Sequence, residues 1–161
     1  MRPVISVERA GHQNVLAFMN TIGYTEGTDN GRQLTLHDGY DVLVGGKLFT
    51  DFKDHPNVLV QLNPKLASTA AGRYQILHRF WVIYKKQLNL PDFSPMSQDL
   101  YCLNILREQR ALPLLIAGRF DDAVARTNNI WASLPGSPYG QHTYSMAHAR
   151  EVYVKNGGTL A

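Results

Sequence analysis

The chain has 161 residues, long enough for one domain with a substantial core. With 44% hydrophobic and 18% charged residues it is neither disordered nor membrane-spanning, and no apolar run approaches the length that crosses a bilayer. The 16 Lys+Arg against 13 Asp+Glu make it mildly basic, which favours approach to polyanions. The basic residues are scattered, densest at Arg107, Arg110 and Lys85-Lys86, which suits solvated helix faces and not a nucleic-acid groove. Cys102 is the single cysteine, so an internal disulfide and a cysteine-based metal site are both excluded, and its apolar neighbours read as core. The opening Met-Arg-Pro-Val-Ile-Ser-Val-Glu-Arg-Ala lacks the long apolar segment of a secretory signal. The expectation is a protein made in the cytoplasm that stays there until something else releases it.

Along the chain, Val15, Phe18, Met19 and Ile22 recur at helical spacing and predict one amphipathic helix over residues 7–25. Gly27 suits the left-handed position that ends such a helix, which puts Glu26 in its last turn. A carboxylate there faces the negative end of the helix dipole, so its pKa is expected to rise. Residues 27–39 are rich in Gly, Asp and Asn. Tyr40, Val42 and Val44 then alternate with other residues, and Gly45-Gly46 suits a hairpin returning through Lys47, Leu48 and Phe49. Residues 51–64 read as an irregular connection punctuated by His55-Pro56 and Asn63-Pro64. A strongly apolar helix is expected next, entered through polar residues 68–75 and carrying Ile76, Leu77, Phe80, Trp81, Ile83, Tyr84 and Leu88. Ser94-Pro95 starts a further helix to about residue 110. A short segment over 112–117, a helix from Phe120 or Asp121, a loop over 133–141 and a last helix over about 143–155 complete the chain. The outline is a single α+β domain over residues 1–161, mainly helical, with a small β lobe at about 27–50 inserted after the first helix. Such a layout leaves a cleft between lobes.

Four acids gather in the β region: Glu26, Asp29, Asp38 and Asp41. Paired carboxylates serve glycoside hydrolysis, one as proton donor and one as base or nucleophile. Asp29 and Asp38 sit in ordinary turn sequences, Asp-Asn-Gly and His-Asp-Gly, whereas Asp41 lies in a strand pattern. The six histidines show no metal spacing, and His12 lies near an N-terminus expected to be loose. No Gly-x-Ser-x-Gly elbow or phosphate loop is present, so neither metal, acyl-transfer nor nucleotide chemistry is supported. Arg73-Tyr74-Gln75, Asn128-Asn129, Trp131 and Tyr139-Gly140-Gln141 offer hydrogen-bonding groups beside aromatic faces, the chemistry that holds sugars, although Trp131 and Tyr74 taken singly suit a core.

These segments match a known pattern. The chain resembles the endolysins of lambda-type bacteriophages, lytic transglycosylases that cut bacterial peptidoglycan. The similarity runs through Glu-Gly-Thr-Asp-Asn-Gly-Arg-Gln (26–33), Gly-Tyr-Asp-Val (39–42), Leu-Phe-Thr-Asp (48–51) and Leu-Asn-Pro-Lys-Leu (62–66). It continues through Ala-Gly-Arg-Tyr-Gln (71–75), Asp-Phe-Ser-Pro (92–95), Asn-Ile-Trp-Ala-Ser-Leu-Pro-Gly (129–136) and Tyr-Gly-Gln (139–141), covering nearly everything after Gly23.

The resemblance implies a lysozyme-like fold with an interlobe cleft and Glu26 as the sole catalytic carboxyl, cycling as acid and then base. It implies Gln75 and Tyr74 as substrate binders, Tyr139 across the cleft near Glu26, and Asp41 as a residue that orients substrate or supports the site without acting as nucleophile. Asn129 joins them as a sugar-binding candidate. No cofactor and no metal are implied. The implied partners are peptidoglycan glycan strands and, for release from the host cytoplasm to the periplasm, a holin; no nucleic acid, no stable membrane association and a monomer are expected. A hydrolytic muramidase using Glu26 with Asp41, and a non-catalytic wall-binding domain, are the alternatives. The chain departs from the family pattern at Tyr24-Thr25, where Trp-Ser is usual, and in the segment before Gly23, which is longer and matches poorly.

Overall fold

The computed structural model describes residues 3–139 and 143–161. Gly140, Gln141 and His142, which belong to the expected sugar-binding loop and the histidine count, lie outside the described residues. The expected first helix is two: α1 (Val7–Ala10) and α2 (Gln13–Thr25). Gly11, at φ +98°, ends α1, and His12 restarts the chain by accepting the Asn14 N–H on its Nδ1 at 3.0 Å. At the other end of α2 the expected cap forms in full. Gly27 sits at φ +78° and donates to the Tyr24 carbonyl at 3.0 Å, while Thr28 donates to the Gly23 carbonyl at 3.1 Å. This pair of hydrogen bonds ends the helix at Thr25, with Glu26 as its C-cap.

The regular sheet is β1 (Val60–Asn63) paired antiparallel with β2 (Leu66–Ser68). It occupies the end of the segment expected to be irregular. The expected hairpin over 40–49 turns at Gly45-Gly46 but closes on a single bridge, Val42 with Leu48. The reason is competition from a third segment: the Val44 N–H goes to the Ala70 carbonyl at 2.9 Å, and Leu43 bridges Ala71. Helix α3 (His78–Gln87) begins ten residues later than its polar entrance suggested. Gly72 at φ +81° and Gln75 at φ +51° both take left-handed backbone, and Ala71 and Ile76 exchange N–H···O bonds of 3.1 and 2.9 Å, which folds 71–76 into a tight turn. Helix α4 (Pro95–Glu108) starts as expected, with Ser94 accepting the Ser97 N–H and Pro95 in the first turn. Helices α5 (Leu112–Ile116), α6 (Phe120–Thr127) and α7 (Met146–Lys155) follow.

The core joins α2, α4, α5, α6 and α7 around Phe18, Leu106, Leu115, Phe120 and Tyr153, with Cys102 buried among them. A second aromatic group, Trp81, Phe93 and His55, ties α3 to the loop before β1, with ring separations of 4.8 and 4.9 Å at Phe93. The N-terminal segment is docked, not loose. Asp99, fully buried in α4, accepts the Val4 and Ile5 N–H groups at 2.7 and 2.9 Å and the Tyr40 and Tyr74 hydroxyls at 2.8 and 2.6 Å.

The lobes are locked by Arg73, whose side chain is fully buried. Its Nη1 donates to Asp29 Oδ2 at 2.6 Å and to the Asp38 carbonyl, and its Nη2 donates to Asn20 Oδ1 at 2.5 Å. The guanidinium lies over the Tyr40 ring, 5.5 Å from its centroid, and packs so closely on Gly23 that a Cβ there would stand 3.1 Å from it. Removing one partner of a buried ion pair strands the other. Arg73→Ala is therefore expected to lower unfolding free energy by about 3–5 kcal/mol in urea denaturation. A loss within about 1 kcal/mol would mean that Asp29 is solvated and the lock is not electrostatic.

Candidate active site

Glu26 is half-buried at the end of α2, where its own N–H donates to the Ile22 carbonyl at 2.8 Å. Its carboxyl group meets Ser133, which reaches it through both its hydroxyl and its backbone N–H. Removal from water dominates, and pushes the pKa from an ordinary 4.5 up to about 7; the two Ser133 hydrogen bonds pull the other way and lose. The Ser133 hydroxyl also lies 3.1 Å from Thr25 Oγ1, which donates to the Ile22 carbonyl at 3.3 Å. A hydroxyl carries one hydrogen and two lone pairs. Ser133 can thus donate to Glu26 when it is a carboxylate, and accept from it while donating to Thr25 when it is protonated. Both states find a partner.

A cleft of about 640 Å³ opens alongside, lined by Gln75, Ile76, Phe80, Asn129, Trp131 and Tyr139 among others. Glu26 does not itself line it but is tied to both walls. Ser133 lies two residues beyond Trp131, whose indole N–H donates to the Tyr74 carbonyl at 3.0 Å. On the other side, the Thr28 hydroxyl donates to the Arg73 carbonyl at 2.7 Å. A smaller hollow of about 390 Å³ near α1 and the end of α7 offers only Lys155 as a titratable group, so it does not compete for the chemistry.

The endolysin family profile matches residues 16–160. The chain belongs to the endolysin family. The endolysin of Escherichia phage lambda is 53% identical over 144 residues, covering 89% of this chain and 91% of that one. The endolysin of Escherichia phage P2 is 44% identical over 171 aligned positions, covering 99% of both chains. Bacteriophage lambda lysozyme, solved in complex with a chitohexasaccharide, superposes with a TM-score of 0.90 at 50% identity, over 98% of each chain. A second structure of lysozyme from bacteriophage lambda gives 0.86 at 50% identity, over 92% of this chain and 96% of that one. The lysozyme-like α+β fold follows.

Not every expected residue of this endolysin stands where the sequence suggested. Gln75 is half-buried in the cleft wall, with its Nε2 donating to the Gly72 and Val42 carbonyls at 3.0 and 3.2 Å, which leaves Oε1 for a ligand. Asn129 and Tyr139 are exposed in the opposite wall, joined by the Tyr139 hydroxyl donating to the Asn129 carbonyl at 2.9 Å. Tyr74 borders the cleft, but it is 1% exposed and its hydroxyl donates to Asp99, so most of its side chain belongs to the core. Of the two places expected for Asp41, orienting substrate or supporting the site, its surroundings suit the second: it is 1% exposed, and its two oxygens accept the Thr35 hydroxyl at 2.5 Å and the Leu36 N–H at 3.0 Å, which pins the 35–41 loop. Asp29 is the counterion of Arg73 and not merely a turn residue, and Arg73 is too deep to meet a ligand. Asp38, at φ +50°, keeps its turn conformation.

Ser133 was not singled out from sequence. It sits in a Ser-Leu-Pro-Gly loop with no periodicity, and only the packing of that loop on the end of α2 reveals it. The unusual Tyr24-Thr25 pair is accommodated: Tyr24 packs on the Tyr144 and His148 rings, each 5.6 Å away, and its hydroxyl meets His148 Nε2 at 3.0 Å.

A carboxyl whose pKa rises on folding costs stability only once it ionises. The cost is absent below the ordinary value of 4.5 and complete above the folded value of about 7. Glu26→Gln is expected to stabilise the protein by about 2 kcal/mol at about pH 8, with the gain vanishing below about pH 4. Equal gains at both pH values, measured by denaturant titration, would show that Glu26 titrates normally.

Proposed function

We propose that this endolysin is a peptidoglycan lytic transglycosylase with Glu26 as its only catalytic carboxyl, acting on the β-1,4 bond between N-acetylmuramic acid and N-acetylglucosamine. The observation that carries the reading is a single acid, held protonated to near neutrality beside a cleft, with neither Asp41 nor Asp29 available among the described residues to serve as a second carboxylate. Asp41 and Asp29 are both consumed by internal partners. Hydrolysis by paired carboxyls needs roughly 5–9.5 Å between two available groups, one to activate water or attack the sugar. Asp41 does not supply the second.

A transglycosylase does not need one. Protonated Glu26 gives its proton to the glycosidic oxygen of the departing N-acetylglucosamine as the bond to C1 of N-acetylmuramic acid breaks. The same carboxylate then takes the proton of that sugar's C6 hydroxyl, whose oxygen closes on C1. The products are a free N-acetylglucosamine 4-hydroxyl and a 1,6-anhydro sugar, with no water consumed. Glu26 ends protonated, ready for the next cycle. The pKa of about 7 suits both halves, since acid and base must be the same group at one pH. The intramolecular hydroxyl needs only to be held in place, which proximity supplies. The Ser133 hydroxyl follows the proton, donating to the carboxylate and accepting from the acid. Gln75 Oε1 and the Asn129–Tyr139 wall are assigned to sugar binding. In this reading the partners are peptidoglycan glycan strands, the protein works as a monomer, and a holin releases it from the host cytoplasm to the wall.

Mass spectrometry of fragments released from purified Gram-negative sacculi tests the proposal. Products lighter by one water, without a reducing end, are expected; ordinary reducing ends would make the protein a muramidase, and no release would make it a wall-binding domain. The rate should fall above about pH 7 with loss of one proton. Glu26→Gln should abolish release, and a variant that still lyses would overturn the single-glutamate mechanism. Ser133→Ala removes the hydroxyl bond that favours the carboxylate and keeps the backbone N–H, so the alkaline limit of the pH profile should move upward; an unmoved limit would mean that the Ser133 hydroxyl does not govern Glu26.

A further inference from the structure

Among the described residues that line the 640 Å³ cleft, Arg79 is the one with a charged side chain. It stands in the first turn of α3, exposed, with its guanidinium over the Phe80 ring 4.9 Å from the centroid. It forms no ion pair with a described residue, whereas Arg73, Arg119 and Arg150 are matched to Asp29, Asp122 and Asp121. Helix α3 carries no acidic residue, and its Lys85 is already matched to Asp54 at 3.2 Å. The other polar residues that border the cleft are uncharged amides, phenols and one indole, Gln75, Gln109, Asn129, Tyr84 and Tyr139 among them.

That lining suits a neutral N-acetylhexosamine chain at every point except Arg79. A cation drawn into a ligand interface loses hydration, and the loss is offset only by an anion or by well-placed acceptors. The backbone sugars of peptidoglycan bring no charge. Its carboxylates belong to the short peptide attached to the lactyl group of each N-acetylmuramic acid. A guanidinium resting on an aromatic face keeps its N–H edge for an acceptor, and a carboxylate matches that edge with two parallel hydrogen bonds.

We infer that Arg79, carried on the Phe80 ring, receives a stem-peptide carboxylate, so that the cleft selects peptide-bearing glycan over peptide-free glycan. The inference rests on the glycan-cleaving function proposed above. Arg79 is a specificity-determining residue in this arrangement, away from the reacting bond.

The test uses the full chain carrying Glu26→Gln, so that ligand is bound without turnover. Its affinity is measured by titration calorimetry for soluble glycan strands with intact peptides and for the same strands stripped by an amidase, with the lactyl carboxylate that the amidase frees capped as its methylamide so that they carry no anion. The peptide-bearing strands are expected to bind about tenfold more tightly. Adding Arg79→Ala should erase that preference, Arg79→Lys should keep part of it, and Arg79→Glu should reverse it. Raising the salt concentration should shrink the preference, as for any partly exposed charge pair. Equal affinity for the two strands before Arg79 is changed would overturn the inference. So would an equal loss on both strands in Arg79→Ala, which would make Arg79 a sugar contact. Wild-type protein that releases nothing from sacculi would instead overturn the catalytic reading, a separate failure from loss of the preference.

Discussion

The buried guanidinium of Arg73 is the constraint on which the site depends. It joins the end of α2 through Asn20, the loop after Glu26 through Asp29, and the following loop through the Asp38 carbonyl. Its carbonyl holds Thr28, and its N–H donates to Gln98 of α4 at 3.0 Å. A cation in a dry interior is tolerated only when its donors are nearly all occupied, and here Nε alone has no partner. Because those donors point in fixed directions, the side chain sets both the angle at which α2 ends and the position of the cleft wall that carries Gln75. Gly23 is required for the same reason, since any side chain would press on the guanidinium.

The second constraint is opposite in kind. Glu26 is not paired with a cation; it is removed from water and held by neutral hydroxyl and amide donors. Asp29 is paired with the Arg73 guanidinium, while burial without a counterion keeps Glu26 protonated towards neutral pH. Two carboxyl groups three residues apart in sequence thus have opposite surroundings and different work. The Glu26 environment is unfavourable to the folded state at neutral pH, and the Arg73 and Asp99 networks surrounding it hold the fold against that cost.

Around these sites the fold divides its polar groups cleanly. The deepest, Asp99, Arg73 and Gln98, bond to backbone and fasten segments distant in sequence, while Asp41 closes its own loop. Those that border the cleft lie on the turn at 71–76, on α3, on α4 and just past its end, and on the 129–139 wall. The left-handed backbone at Gln75 belongs to this division: it reverses the chain after the buried Arg73-Tyr74 pair and puts the next side chain in the cleft.

Much of this was legible in the chain alone. Helical spacing, the Glu26-Gly27 stop signal and Ser94-Pro95 are local, because caps and amphipathic faces are decided by residues within a turn of one another. The motifs spread from Glu26 to Tyr139 located the family, the lysozyme-like fold and the single catalytic candidate. What the sequence could not decide was depth. Tyr74 and Gln75 are neighbours with equally polar tips, yet one hydroxyl is drawn inward by Asp99 and the other side chain faces the cleft. Asp29 reads as a turn residue until the distant Arg73 claims it, and Asp41, in a strand pattern, is claimed by the loop residues Thr35 and Leu36. The ladder went to 60–68 and not to 40–49 because Ala70 and Ala71 compete for the same backbone groups. Ser133, more than a hundred positions from Glu26, became its partner only through packing. Local chemistry determined which residues could act; tertiary burial and hydrogen-bond competition decided which were left able to.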